Sequence, residues 1–176
     1  VELLYRHQRP HHIAVLVLPH DGGALDLVAL VVDFADDHPQ HVLAAHQPGH
    51  RRHTGHDNRH VLDNLWALAD DLRRDGRRAE LWIRTPLIPG VSATENNVRA
   101  IAELLSDRLG ELVTRWELCA FNNLCLHKYE RLGRAWPYAD QPLMTRAELD
   151  QLETIARADG PDAAEIQVTG MARRET

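Results

Sequence analysis

Residues 79–110, AELWIRTPLIPGVSATENNVRAIAELLSDRLG, decide the fold because they contain one complete unit of strand, loop and helix. Over residues 79–88 apolar side chains alternate with Trp and Arg, and this period of two predicts a strand. Pro86 and Pro89 are expected to end the strand, since proline has no N–H to donate to a sheet.

Capping boxes mark the starts of two predicted helices. Ser92 and Glu95 have the required spacing, as do Thr145 and Glu148 further along the chain. The first of these helices carries apolar residues at helical spacing and is expected to end at Gly110. Its apolar positions are Val98, Ile101, Ala102, Leu105 and Leu109.

Helices and strands alternate on both sides of this unit. Upstream, residues 57–76 predict a helix with apolar residues on one face. Downstream, residues 112–121 predict a strand, residues 145–160 a helix and residues 165–170 a last strand. This alternation predicts the α/β class, with a parallel sheet or barrel.

The first 49 residues give weaker signals. Residues 12–19 and 25–32 are apolar, β-branched runs that predict buried strands, and the HDGGA linker between them is short enough for a hairpin. Eleven of the twelve histidines lie in residues 1–60. We therefore expect a boundary between a His-rich, poorly specified segment, residues 1–49, and a well-formed unit, residues 50–176.

Composition narrows the classes of function. A net charge of −6 argues against a nucleic-acid-binding protein, which normally has a basic face. No apolar run reaches the roughly 18 residues of a membrane span, and the first residues do not have the pattern of a signal peptide. Two cysteines are too few for a disulfide framework and favour a reducing, cytoplasmic location. The start at Val1 rather than Met predicts a fragment.

Polar residues with binding chemistry follow the predicted strands. In parallel α/β proteins functional groups collect at the carboxyl ends of strands, where this sequence places Arg84, Asn122 and Asn123. Arg84 could bind a carboxylate or phosphate, and the asparagines could bind a polar ligand. The alternatives are a surface salt bridge for Arg84 and a turn for the asparagines.

Three segments resemble, in order, motifs of one enzyme family. They are HRRHTGHDNRHVLDNL (50–65), ELWIRTPLIPGVSATENN (80–97) and RWELCAFNNLCLHKYERLG (115–133). Together they look like the C-terminal half of the glycyl-radical enzyme activating enzymes, which include the pyruvate formate-lyase activating enzyme in the radical S-adenosylmethionine superfamily. The resemblance covers roughly residues 50–170, about two thirds of the chain.

The resemblance implies a fold, a reaction and two cofactors. Family members adopt a partial (β/α) barrel with parallel strands and hold a [4Fe–4S] cluster on a C-x-x-x-C-x-x-C motif. They cleave S-adenosylmethionine reductively, and the resulting radical takes a hydrogen from a glycine of a partner, the glycyl-radical enzyme. By resemblance the chain is an oxidoreductase of the [formate-C-acetyltransferase]-activating type.

Two positions carry over as cofactor-binding residues, and none carries over as catalytic. Arg84 matches the family arginine that helps to hold S-adenosylmethionine through its carboxylate or ribose. Asn122 stands where the pyruvate formate-lyase activating enzyme has a histidine near the cofactor.

The sequence also departs from the family pattern. It has no C-x-x-x-C-x-x-C motif, since its two cysteines, Cys119 and Cys125, are spaced C-x₅-C. The acidic-x-Lys motif expected before the first segment is absent as well, and Lys128 is the only lysine. We therefore expect that this chain alone does not perform the family reaction, and that residues 1–49 are a frame-shifted or truncated half of the barrel.

The stretch HQPGHRRHTGHDNRH (46–60) allows a second interpretation. His46, His50 and His53 recur at steps of three or four residues and could bind zinc or nickel. The Pro-Gly pair at 48–49 interrupts the helix that would align them. A His-rich zinc- or nickel-binding module therefore stays open as an alternative, as does a non-catalytic docking partner of a glycyl-radical enzyme.

Overall fold

The computed structural model describes residues 16–19, 25–28, 59–75, 81–124, 126–136 and 138–173. The strands within these ranges are β1 (Leu16–Pro19), β2 (Leu25–Val28), β3 (Leu81–Leu87), β4 (Val113–Ala120) and β5 (Glu165–Thr169). The helices are α1 (Arg59–Asp75), α2 (Glu95–Leu109), α3 (Leu126–Arg131) and α4 (Arg146–Asp159).

The five strands form one sheet in their sequence order, β1-β2-β3-β4-β5. β1 and β2 are antiparallel, as predicted, and β2 to β5 are parallel. A doubly wound sheet reverses its strand order part-way, whereas a (β/α) barrel keeps the strands in sequence order. The α/β class is confirmed, and the order is that of part of a (β/α) barrel.

One face of the sheet is apolar and covered by helices. Side chains alternate along β3, whose odd-numbered residues are all buried. These residues join the core of the protein, to which α1, α2 and α4 also contribute. The largest fully buried side chains are Trp116, Leu65, Leu81, Ile83, Leu87, Ile101, Leu105, Leu109, Leu118 and Leu149.

The cap of α2 differs from the prediction. The N-cap is Thr94, whose hydroxyl accepts from the backbone N–H of Asn97, so the capping box predicted at Ser92 is wrong. The loop from β3 to α2 uses the Ser92 hydroxyl instead: it donates to the carbonyl of Pro86 at 2.6 Å and accepts from the N–H of Ile88 at 2.9 Å. Ser92 is fully buried, so its hydroxyl needs both partners inside the loop.

The second capping box is present as predicted. The Thr145 hydroxyl accepts from the backbone N–H of Glu148, and the Glu148 carboxylate accepts from the backbone N–H of Thr145. The Thr145 hydroxyl also donates to this carboxylate at 2.9 Å, and the hydrogen bonds from the Thr145 backbone and hydroxyl lower the pKa of the Glu148 carboxyl. The start of α4 is therefore specified by four consecutive residues.

The strand predicted over residues 79–88 is present as β3, but Pro86 does not help to end it. The strand continues through Pro86, which is paired in register with Cys119, and ends at Leu87. The Pro86 carbonyl faces the Ser92 hydroxyl of the following loop. Because the N–H and C=O of a strand residue point to the same side, the missing N–H of Pro86 removes no bond between β3 and β4.

Among the described helices, none is long and apolar enough to cross a membrane.

Candidate functional site

The second face of the sheet is polar and bears the candidate site. We call it the polar face and define it by the residues that alternate with the buried ones on β3, β4 and β5. Register places them in three rows across the strands. The rows are Trp82, Arg115 and Glu165; Arg84, Glu117 and Gln167; and Pro86, Cys119 and Thr169.

Arg84 and Glu117 form an ion pair across β3 and β4. The Arg84 Nε donates to Glu117 Oε2 at 2.7 Å. The Arg84 side chain is 26% exposed and that of Glu117 only 10%, so the pair is largely shielded from water. Charged groups are rarely so buried unless they are paired, and a shielded charge-assisted hydrogen bond is stronger than one on the surface.

Arg115 lies beside this pair and is held from several directions. Its guanidinium stacks over the Trp82 ring at 4.0 Å and donates through Nη2 to Glu165 at 3.0 Å. Hydrogen bonds from the Gln167 side chain and from Arg115 lower the pKa of the Glu165 carboxyl. The Arg115 Nε is buried and has no hydrogen-bond partner among the described residues. A buried donor without an acceptor is costly, so an acceptor atom at this place would be stabilised.

The two predicted cofactor-binding residues lie in different parts of this region. Arg84 is in the middle of β3 rather than at its end. Asn122 follows the end of β4, where its side-chain oxygen accepts from the N–H of Leu124 at 3.1 Å. The side chain thus takes part in a turn, which was the alternative interpretation of the asparagines in the sequence. Glu117 pairs with Arg84, and Asn122 comes five residues after Glu117 along the chain. A ligand that contacts both Arg84 and Asn122 therefore has to be extended.

An aromatic cluster next to Asn122 was missed from the sequence. Phe121 stacks on Trp136 with ring centroids 5.6 Å apart, and Tyr138 contacts both rings edge-on. Tyr129, on α3, lies 6.2 Å from Trp136. The cluster fixes the chain that follows β4, and four aromatic residues within eighteen positions were the signal in the sequence.

Cysteine and histidine do not form a metal site in the described part of the chain. Cys119 is half-buried, and burial raises the pKa of its thiol, which disfavours the thiolate that metals bind. Across the described ranges no group of three or more His, Cys, Asp or Glu residues could hold a metal ion. Cys125 and the histidines of the alternative metal site, His46, His50 and His53, lie outside the described residues.

Comparison with known proteins finds relatives of one kind. No protein-family profile matches the chain. It is 33% identical over 100 residues to the isethionate sulfite-lyase activating enzyme of Oleidesulfovibrio alaskensis, a match that covers 54% of this chain and 30% of that enzyme. It is 29% identical over 91 residues to the pyruvate formate-lyase-activating enzyme of Staphylococcus aureus, covering 52% and 33% of the two chains.

Similarity also extends to a solved structure. It is a domain of the pyruvate-formate lyase-activating enzyme from Bacteroides vulgatus, with a TM-score of 0.46, 19% identity, and coverage of 70% of this chain and 61% of that one. The matches span about a third of the length of the curated relatives. About half of the chain is thus homologous to activating enzymes of this kind, which confirms the resemblance to glycyl-radical enzyme activating enzymes predicted from the sequence.

Proposed function

We propose that this chain carries the part of a glycyl-radical enzyme activating enzyme that holds S-adenosylmethionine, and that the chain alone does not cleave it. The observation that carries the proposal is the polar face, where the guanidinium groups of Arg84 and Arg115 both lie beside Glu117, and the buried Arg115 Nε has no hydrogen-bond partner among the described residues. The names of the curated relatives support the family. Its partner would then be a glycyl-radical enzyme.

The residues of the polar face fit S-adenosylmethionine. Arg84 would bind its carboxylate or ribose, and Arg115 adds a second positive charge and an Nε donor that no described residue uses. Asn122 would hydrogen-bond another polar group of the same extended ligand through its amide nitrogen, since its oxygen is used in the turn. When bound and reduced, S-adenosylmethionine supplies the 5′-deoxyadenosyl group, and the chain's own residues bind and orient it.

The residues do not fit the iron–sulfur cluster. Such a cluster needs several cysteine thiolates, whereas this chain has two cysteines, and burial raises the pKa of the one that is described. The electrons that reduce S-adenosylmethionine have to come from a cluster held by residues other than those of this sequence.

Replacing Arg84 by alanine is expected to weaken the binding of S-adenosylmethionine at least about tenfold, because a charge-assisted contact to the ligand is lost. The measurement is isothermal titration calorimetry of the full chain. The control is Arg146→Ala, which removes an exposed arginine on α4 that pairs with Asp150 and should leave the affinity unchanged. Equal affinities for wild type and Arg84→Ala, or no binding by wild type, would overturn the proposal.

Anaerobic reconstitution with iron and sulfide is expected to yield no stable cluster, since a cluster of this kind needs several cysteine ligands. Iron and acid-labile sulfide per chain should stay far below one equivalent after gel filtration. S-adenosylmethionine added with a strong reductant should give no 5′-deoxyadenosine. A stoichiometric cluster with visible absorbance would show that the chain has cluster ligands of its own.

The remaining sequence predictions stay predictions. The division at residues 49 and 50 and the zinc or nickel site both fall outside the described residues. The cytoplasmic location rests on the low cysteine content. A non-catalytic docking partner remains the alternative if the chain binds a glycyl-radical enzyme without binding S-adenosylmethionine.

A further inference from the structure

We propose that Glu117 is a positioning residue, which holds the Arg84 guanidinium in one orientation so that it can receive an anionic ligand group. The inference rests on the proposed function for the identity of that ligand. The orientation itself follows from contacts within the polar face and can be tested without any ligand.

Glu117 occupies the centre of the polar face. It lies on β4, between β3 and β5, and each of its two carboxylate oxygens faces a different arginine. Oε2 accepts from Arg84 Nε at 2.7 Å, and Oε1 lies 3.7 Å from Arg115 Nη1. A single carboxylate therefore lies between two cations that would otherwise repel each other.

The burial of Glu117 distinguishes it from the other carboxylates. Its side chain is 10% exposed, the lowest value for a carboxylate in the ion pairs of the described residues. The pair of Arg146 with Asp150 on α4 has exposures of 62% and 52%. Exposed pairs contribute little because water screens them, whereas a shielded pair restricts the geometry of both side chains.

Contact through Nε constrains Arg84 more than contact through a terminal nitrogen would. Nε is the first nitrogen of the side chain, so a hydrogen bond there fixes the plane of the guanidinium as well as its position. Ordering a long side chain costs conformational entropy, and this cost is met before a ligand arrives. We infer that Glu117 preorganises Arg84.

Arg115 holds Glu117 in place from the other side. Its guanidinium lies over the Trp82 ring and also pairs with Glu165, so it cannot rotate freely. Through Arg115, the position of the Glu117 carboxylate is fixed independently of Arg84. A control carboxylate outside this network is Asp150, which lies on α4 and pairs with Arg146.

The orientation is tested by NMR of arginine Nε–Hε groups in the full chain. The Arg84 signal is assigned by its loss in Arg84→Lys. Its hydrogen exchange in wild type should be at least about tenfold slower than that of the exposed Arg74, because a hydrogen-bonded, shielded N–H is protected. Glu117→Ala, which has no acceptor, should remove most of this protection, and Asp150→Ala should retain it. Exchange as rapid as that of Arg74 in wild type would overturn the inference, even if Glu117→Ala failed to fold.

The consequence for binding is tested by a double-mutant cycle with S-adenosylhomocysteine, a stable analogue with the same carboxylate and ribose. Glu117→Ala should weaken binding about tenfold when Arg84 is present and less than about twofold in the Arg84→Lys background, because a positioning residue acts through its partner. Asp150→Ala should change affinity less than about twofold in both backgrounds. Equal losses in both backgrounds would identify general structural damage and overturn the positioning role.

The two proposals fail in different ways. If wild type binds neither S-adenosylhomocysteine nor S-adenosylmethionine, the proposed function is wrong, and the ligand part of this inference is wrong with it. If wild type binds the ligand but the Arg84 Nε–H exchanges rapidly, the positioning role alone is wrong.

Discussion

Replacing Trp116 by alanine is expected to lower the free energy of unfolding by about 3–5 kcal/mol, the usual range for removing a fully buried large aromatic side chain. Trp116 is fully buried on the apolar face of β4. Its indole Nε1 donates to the hydroxyl of Thr85 on β3 at 2.9 Å, and Thr85 is fully buried as well. The substitution therefore leaves both a cavity and a buried hydroxyl that has lost this donor.

Urea denaturation followed by circular dichroism measures this loss. Trp66→Ala is the matched control, because Trp66 is only half-buried on α1 and packs at the margin of the core. We expect Trp66→Ala to lower the free energy of unfolding by at most about 2 kcal/mol, since the side chain of Trp66 buries less apolar surface than that of Trp116. A loss at Trp116 no larger than that at Trp66 would contradict the packing described for the apolar face.

Replacing Gly170 by alanine is expected to lower the free energy of unfolding by about 2–3 kcal/mol, for a conformational and a steric reason. Gly170 directly follows β5 and has a φ of +98°, a region that side chains with a Cβ rarely adopt. A Cβ there would also lie 3.0 Å from the carbonyl oxygen of Ala120, the last residue of β4. That oxygen belongs to the backbone and cannot move without shifting the strand.

The control for this prediction is Gly133→Ala. Gly133 also has a positive φ, +62°, but a Cβ at this position would meet nothing within 4 Å. Gly133→Ala should therefore lower the free energy of unfolding by the conformational contribution alone, about 1 kcal/mol. Equal losses in urea denaturation at the two glycines would show that the close approach of β4 and β5 contributes nothing.

Local patterns predicted most of the described elements. The alternation in β3 and the apolar spacing of α2 and α4 are properties of short segments, and packing reinforces them. The errors arose where a side chain forms its hydrogen bond with a residue outside the local pattern used for the prediction. Ser92 has the spacing of a cap, but its hydroxyl is recruited by the Pro86 carbonyl.

The candidate site was only partly predictable. Arg84 was identified from the sequence and from the family resemblance, but its partner was not, because the pairing of Arg84 with Glu117 depends on the register between β3 and β4. The position of Arg115 over Trp82 depends on the same register. Asn122 was identified, and the competing use of its side chain in a turn was also foreseen.

The measurement to make first is a map of backbone amide shifts on titrating S-adenosylmethionine into the ¹⁵N-labelled chain. Binding to the polar face predicts saturable shifts at Arg84, Arg115, Glu117 and the residues after β4, with α1 and the outer surface of α4 unchanged. The absence of saturable shifts, or shifts confined to those helices, would contradict the assignment of this face as the site that holds the cofactor.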